Sequence, residues 1–346
     1  MELHLLHGYS GANAAIDMDL VSAAEEAGFA CIWTAEAYGS DAVSTAAWML
    51  AQTTRINVGT GIMQMPARTP ALAAMTAMTL HGLSGGRFIL GIGPSGPQVI
   101  EGWHGVPFGR PLTRTREYIE IVRKVLARKT PLTHEGFHYH IPNTGDGTTG
   151  LGKPLKSILH GNPSMRIVTG TMTPAGVRLS AEISDGMLLA FMKPERFDVF
   201  EEPLTEGFAA AGGGKSLADF DIIPYVMLST GDDLAACRQP AREHLALYIG
   251  GMGHRDRNFY NDYARSIGYE DAAARIQELY LAGKHRDAAA AVPDDLIDDV
   301  ALVGPREHIA DQLDRWREAA AQRHVSAIAV TARTVDEVRM LAELVL

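Results

Sequence analysis

The sequence predicts an α/β fold, a (β/α)8 TIM barrel with insertions, and three observations carry that prediction. Eight short apolar runs alternate along the chain with segments of helical periodicity. A plain barrel of that kind needs about 250 residues, so the 346 residues present leave room for two long excursions. Glycines gather where several of the strands end, at Gly59 and Gly61 and again at Gly91, Gly93 and Gly96, which marks one end of the barrel as a place of close backbone approach.

Taken in order, Glu2 to Tyr9 reads as the first strand and Asp17 to Gly28 as a helix with Leu20, Ala24 and Ala27 on one face, stopped by Gly28. Ala30 to Thr34 is the second strand, Asp41 to Thr53 a helix, and Arg55 to Ile62 a third strand. Pro70 to Leu83 is helical, Arg87 to Ile92 is the fourth strand, and Thr113 to Arg128 is a helix with Ile119, Val122 and Leu126 aligned. From about 130 to 164 the periodicity fails among scattered glycines and prolines, which predicts an irregular insertion serving as lid or substrate wall. Met165 to Thr169, Gly186 to Ala190 and Asp219 to Leu228 are the next three strands, the last carrying Pro224 as a bulge or rim signal. Helices fill Pro174 to Ser184 and Pro194 to Ala211 between them. A helical insertion covers about 245 to 300, with helices at Leu234 to Tyr248 and Tyr269 to Leu281 separated by GGMGHRDRNFYND. Gly304-Pro305 opens a helix with Ile309, Leu313, Trp316 and Ala320 at helical spacing, Val325 to Thr331 is the eighth strand, and Val335 to Leu346 ends the chain. The chain is therefore read as one domain, residues 1 to 346.

A formal charge of -10 and the lack of any long Lys/Arg run argue against a nucleic-acid surface and leave a small molecule as the expected partner. Two cysteines, Cys31 and Cys237, form neither a disulfide framework nor a zinc cluster and read as buried thiols of a reducing compartment. The start MELHLLHGYSG lacks the basic and long apolar segments of a secretory leader, and no apolar run reaches a membrane-spanning length, so a cytoplasmic location with no membrane partner is expected. His138 and His140 have no acidic or cysteine partner at convincing spacing, so no metal is expected there.

Gly91-x-Gly93-x-x-Gly96 matches the spacing of a dinucleotide-binding loop. That motif needs a helix to begin at once, whereas here Pro94 and Pro97 interrupt the loop and the next uninterrupted helical pattern is expected only near Thr113. The stretch is instead a strand exit at the barrel mouth. Candidates at such exits are His7 and Tyr9, Glu36 and Tyr38, Gly61 to Met65, Gly93 to Gly96, Gly170 to Gly176, and Phe191 to Lys193.

The segments Trp33-Thr34-Ala35-Glu36, VGTGIMQMPARTP, LSGGRFILGIGPSGPQVIEGWHGVPF, RTREYIEIVRKVL and AEISDG together resemble the bacterial-luciferase-like superfamily, and in particular its branch of deazaflavin (coenzyme F420)-dependent oxidoreductases. The resemblance covers nearly the whole chain and implies coenzyme F420 as cofactor, with FMN as the alternative. It implies a non-prolyl cis peptide at Gly61-Ile62 behind the flavin ring, with Thr60 beside it, Gly93, Pro94 and Ser95 bordering the ring, and Gly170, Thr171, Ala175, Gly176 and Val177 around the phosphate-bearing tail. Glu36, Tyr38 and His104 are the candidate catalytic groups, Glu36 also as a ligand of backbone or cofactor hydroxyls. Many relatives place a histidine after the acid at the second strand's end, and one that oxidises a sugar phosphate carries a glutamate where Gly96 stands; this chain has neither, so any proton must move through other groups. The expected activity is hydride transfer between the deazaflavin and a small organic substrate with an activated C=C, a C=O or an alcohol. The alternatives are an FMN-dependent two-component monooxygenase and a non-catalytic flavin-binding barrel. A homodimer is implied, together with a flavin or F420 reductase as a possible partner.

Overall fold

The computed structural model describes residues 1–10, 12–253 and 258–346, so residues 254–257 of the glycine-rich, charged segment lie outside the described residues. Twelve strands occur among them: β1 (Glu2–Gly8), β2 (Cys31–Thr34), β3 (Asn57–Thr60), β4 (Met63–Gln64), β5 (Phe88–Gly93), β6 (His134–Glu135), β7 (His140–Ile141), β8 (Ile167–Gly170), β9 (Gly186–Leu189), β10 (Asp221–Thr230), β11 (Ala301–Gly304) and β12 (Ala327–Val330). Eight of these close a parallel barrel in the order β12, β1, β2, β3, β5, β8, β9, β10, with β10 returning to β12. The predicted (β/α)8 barrel is thus the observed fold.

Side chains alternate along each strand and so divide the apolar residues into two layers. Cys31 and Trp33 on β2, Val168 on β8, Leu188 on β9, Ile223 on β10, and Ala327 and Ala329 on β12 fill the barrel interior. Leu3, Leu5, Ile32, Val58 and Leu90 face outward and are sealed by the surrounding helices. Both faces being covered, the strands need no polar alternation, which is why they read as unbroken apolar runs.

Helix entries follow local chemistry. Asp17, Asp41 and Thr69 each accept hydrogen bonds from first-turn amides, opening Met18–Glu26, Ala42–Gln52 and Pro70–Leu83. Arg87, at the entrance of β5, donates to the carbonyls of Leu50, Thr53 and Ile56 and so ties the end of the second helix to the sheet.

Four differences from the sequence expectation matter. A helix does begin at once after the glycine loop: Pro97–Gly102, with Gly96 as its cap, precedes the long helix Pro111–Ala127. Pro97 stands at the first helical position, where its missing N–H costs nothing, so it starts the helix rather than breaking it. Strand β10 runs through Pro224, which closes the stretch paired to β9 before Tyr225 and Val226 pair with β12. The unpredicted β11 lies beside the last four residues of β10, outside the closed ring, and Gly231 N–H reaches the Gly304 carbonyl at 3.3 Å. Finally, within the stretch read as a helical insertion, about 245 to 300, the structure holds helices Phe259–Ser266, His285–Ala290 and Asp294–Val300, whose bounds the sequence does not mark.

Between 130 and 164 the only regular structure is the antiparallel pair β6 and β7. Glu117 anchors it, its carboxylate accepting from the amides of Phe137, His138 and Tyr139 at 2.7, 2.9 and 3.1 Å.

Candidate active site

The exits of β3, β5 and β8 meet around one side chain, Ile62. Strand β3 pairs with β5 only at Val58 and Gly59, and pairing resumes through β4 at Met63 and Gln64, so residues 60 to 62 leave the ladder. Thr60 bridges the gap: its hydroxyl donates to the Gly91 carbonyl at 2.7 Å and accepts from the Gly91 amide at 3.1 Å. The Gly61–Ile62 peptide is cis, and Gly61 N–H donates to the Thr34 carbonyl at 2.5 Å. Ile62 then projects between Gly93 and Gly170: a Cβ added to Gly93 would lie 3.0 Å from Ile62 Cγ1, and one on Gly170 2.8 Å from Ile62 Cγ2.

These glycines were read from the sequence as sites of close approach, and the partners that approach are now identified. At Gly59 it is the Trp33 ring, 2.3 Å from an added Cβ, and at Gly61 it is the Tyr225 hydroxyl, also 2.3 Å away. At Gly91 it is the Thr60 carbonyl oxygen, 1.8 Å away. Tyr225, on β10, donates its hydroxyl to the Gly61 carbonyl at 2.8 Å across the barrel. Burial pushes its pKa up, so it stays a neutral donor. Nothing local in the sequence pairs Tyr225 with Gly61.

The three catalytic candidates, Glu36, Tyr38 and His104, line one open cleft of about 230 Å³ together with Gln64, Arg68 and Trp103. Their roles differ. Glu36, with a side chain 7% exposed, accepts from Ala42 N–H at 3.0 Å, Gln64 N–H at 2.8 Å and Arg68 Nη1 at 2.5 Å. Its carboxylate is committed to holding the β2 exit against β4, as a ligand of backbone rather than an open acid. Gln64 extends the network by donating Nε2 to the carbonyls of Glu36 and Ala37, both at 3.0 Å. Its Oε1 must then be the acceptor for His104 Nε2 at 2.7 Å, which assigns the neutral imidazole proton to Nε2 and leaves Nδ1 as the basic nitrogen. Tyr38 is 65% exposed at the rim. Gln64 lies within the Gly61-to-Met65 exit that the sequence marks, but its part there, like Arg68 altogether, is not legible in the sequence, because their polar heads gain meaning only from β2, a non-local neighbour.

At the β8 exit, Thr173 caps the helix Pro174–Ile183 by accepting from Gly176 N–H at 3.1 Å, and Val177 N–H closes onto the Thr173 carbonyl at 2.8 Å. An added Cβ on Gly176 would strike Thr171 Oγ1 at 2.0 Å. Of the expected tail residues, Gly176 and Val177 are therefore buried with their amides spent. Ala175, exposed in the first turn, and Thr171, at the rim, are the ones positioned to meet an anion. Pro94 and Ser95 are partly exposed on the next strand exit, and Ser95 adopts φ 60°, the left-handed region rarely taken by a residue with a side chain. An apolar Ile62 floor beside neutral donors, with a helix start at one side, fits a flat ring bearing an anionic tail.

The other strand-exit candidates are placed as follows. His7 is half-buried at the end of β1, where burial lowers its pKa. Phe191 is buried beyond β9, and Lys193 is bound to Asp299 at 2.6 Å. His138 contacts Arg110 and Arg114 while His140 contacts Glu135, and among the described residues no group of three or more His, Cys, Asp and Glu side chains is arranged to hold a metal ion. No helix among the described residues is long and apolar enough to cross a membrane.

Comparison with known proteins identifies the family. A family described as luciferase-like monooxygenase matches residues 4–323. A Mycobacterium tuberculosis protein provisionally named a coenzyme F420-dependent oxidoreductase is 46% identical over 347 aligned positions, covering 100% of this chain and 99% of that one. Among solved structures, the coenzyme F420-dependent tetrahydromethanopterin reductase of Methanopyrus kandleri superposes with a TM-score of 0.79 at 21% identity, covering 99% of this chain and 98% of that one. The oxygenating constituent of 3,6-diketocamphane monooxygenase from Pseudomonas putida, in complex with FMN, gives 0.66 at 18% identity, covering 100% and 98%. The protein belongs to the luciferase-like monooxygenase family and is one of its (β/α)8-barrel enzymes.

Proposed function

We propose that this protein is a coenzyme F420-dependent oxidoreductase in which a hydride passes between the deazaflavin and a small organic substrate, an activated C=C, a C=O or an alcohol. The observation that carries the reading is the 46% identity, end to end, with a relative of that provisional name. When bound, the deazaflavin supplies two-electron hydride chemistry without ready activation of oxygen. The chain's own residues position and shield. Ile62, seated between Gly93 and Gly170, gives the ring an apolar floor, and Tyr225 holds the Gly61 carbonyl behind it. Pro94 and Ser95 border the ring, while Ala175 N–H and the Thr171 hydroxyl face the tail. Glu36 and Gln64 hold His104 with Nδ1 free at the cleft, where it can take or return a proton.

In this reading the chain is one cytoplasmic catalytic domain, residues 1 to 346, with insertions at about 130 to 164 and about 245 to 300. It works as a homodimer, supplied with reduced cofactor by a separate F420 or flavin reductase. Support for the dimer comes from Pro70–Leu83, a largely apolar helix whose Leu72, Met75 and Leu83 stand exposed, as does Trp48 of the preceding helix.

Anaerobic titration of the purified protein with coenzyme F420 and with FMN, followed by absorbance and fluorescence, tests the assignment. Saturable F420 binding, and no oxygen uptake with reduced cofactor, is the expected result. FMN binding with oxygen consumption would overturn it in favour of a two-component monooxygenase. Tight binding without turnover of any alcohol, ketone or enone would instead mark a carrier barrel.

A further inference from the structure

Linked to the Gly61–Ile62 floor through Tyr225 is a second group of polar side chains that the reaction site above does not use. Helix Leu234–Gly251 carries His244 and Tyr248 with ring centroids 4.3 Å apart. Helix Phe259–Ser266 brings Tyr260 edge-on to Tyr248 at 4.7 Å and against Phe191, beyond the β9 exit, at 6.2 Å. Tyr225, whose hydroxyl touches the Gly61 carbonyl, feels the phenols of Tyr248 and Tyr260 electrostatically, and Tyr248 feels Tyr9 beyond β1. The cluster therefore spans the mouth from β1 to β9.

What distinguishes it is unspent hydrogen-bonding capacity. Three neighbouring phenols are engaged: Tyr225 donates to Gly61, Tyr263 accepts from Lys193 N–H, and Tyr269 donates to Asp299. The hydroxyls of Tyr248 and Tyr260 and the ring nitrogens of His244 have no hydrogen-bond partner among the described residues. Nor are these atoms sealed, since none is among the inaccessible unpaired polar atoms. Half-buried donors of this kind cost free energy unless something pairs with them. Among the described residues the wall is electrostatically neutral: the groups acting on Tyr225 and Tyr260 are other phenols and the Cys31 thiol, and Lys193, the cation nearest in sequence to Phe191, is held by Asp299. Burial alone pushes His244 down to about 4, so its imidazole is uncharged at neutral pH.

We infer that Tyr248 and Tyr260, with His244 behind them, are the substrate-oxygen site of this enzyme, and that they select neutral ketones, enones or secondary alcohols over carboxylates and phosphates. Each phenol donates to the substrate oxygen, and Phe191 and Ile62 enclose its carbon skeleton. An anion entering here would lose its water without meeting a cation among the described residues. The inference deepens the hydride-transfer reading and rests on it for the placement of the ring under the substrate.

The test uses the holoenzyme with oxidised cofactor, which cannot reduce a ketone and so reports binding alone. Cyclohexanone and cyclohexanecarboxylate are titrated calorimetrically into wild type, Tyr248→Phe, Tyr260→Phe and the double variant, and the bound ketone's carbonyl stretch is recorded by infrared difference spectroscopy. Expected are ketone binding at least about ten-fold tighter than carboxylate binding, and about five-fold weakening for each phenol removed. The carbonyl stretch shifts to lower frequency in wild type and returns toward the free value in the double variant. Cofactor affinity stays unchanged throughout. Equal ketone affinity and an unshifted stretch in wild type and double variant, or carboxylate binding as tight as ketone binding, would overturn the inference. Failure of F420 to bind would instead remove the hydride-transfer reading, while the same ketone series run with whichever cofactor does bind still decides the role of the two phenols.

Discussion

At the N-terminal end of the barrel strands, Trp33 Nε1 donates to His4 Nδ1 at 3.0 Å, His4 Nε2 meets Glu2 at 3.2 Å, and Arg166 pairs with Asp221. These groups line a void of about 120 Å³ and turn their polar atoms toward one another. At the C-terminal end, the hydroxyls of Tyr248 and Tyr260 and the Ala175 amide point at nothing in the protein among the described residues. One end spends its hydrogen-bonding capacity on itself, while the other, beside the Glu36–Gln64 network, keeps part of it in reserve. A barrel can do this because its packed interior separates the two ends, so stability is concentrated at one and chemistry at the other.

The strongest way to break the contrast is to disturb the scaffold that frames the mouth. Gly91→Ala would place a methyl group 1.8 Å from the Thr60 carbonyl oxygen, a backbone atom that cannot swing aside. A loss of about 3 kcal/mol or more is expected in urea unfolding, with cofactor binding abolished. A change below about 1 kcal/mol would show that the β3 exit relaxes freely.

At the opposite end, Trp33→Phe strips His4 of its donor and leaves a gap in the interior. About 2 kcal/mol of stability should go, while the affinity for F420 holds; a parallel loss of affinity would mean that the two ends are coupled.

Acid separates the ends further. Burial holds both His4 and His244 below the ordinary imidazole value of 6.5, the Glu2 contact opposing and Arg166 reinforcing the effect at His4. Unfolding lets each ring take a proton that the folded protein excludes, so their stabilising contribution is complete above about pH 6.5 and is lost as pH falls. For His244 that loss continues to about 4. Replacing His244 with Phe should flatten the fall in unfolding midpoint over this window and leave the share belonging to His4. An unchanged slope would mean that His244 is charged in the folded mouth.

The smallest effect is expected from Thr173→Ala, which removes the cap from Gly176 N–H. About 1 kcal/mol of stability is lost. Binding of inorganic phosphate at the freed amide, followed by the chemical shifts of Ala175 and Gly176, then reports whether this helix start receives the cofactor tail.

The alternation of strand and helix was legible because each barrel strand is buried on both faces and each helix entry is written in neighbouring residues, as with Asp41 or Pro70. β11 was not legible: four residues, Ala301–Gly304, directly after the helix Asp294–Val300, carry no period of their own and become a strand only because β10 outruns its barrel partners. The helix Pro97–Gly102 was hidden by prolines that read as breakers away from the first turn. In the site, the glycines announced that something comes close without naming it. The answers, Trp33 for Gly59 and Tyr225 for Gly61, come from elsewhere in the chain, in the second case 164 residues away. Tyr248 reads in the sequence as an ordinary helix residue and Tyr260 as part of the segment between two helices, since their distinction is the lack of a partner among the described residues, a property of the folded surroundings.

The segment that bears those two tyrosines leaves the barrel at Gly231 and comes back at Gly304, and these two residues are hydrogen-bonded to each other across a narrow neck. Its start and finish are therefore already side by side, and whatever lies between them can be exchanged without shifting the register of any strand in the closed ring. The roof that this inference places over the substrate is in this sense a cassette. A transplant cut at Gly231 and Gly304 should carry substrate preference with it.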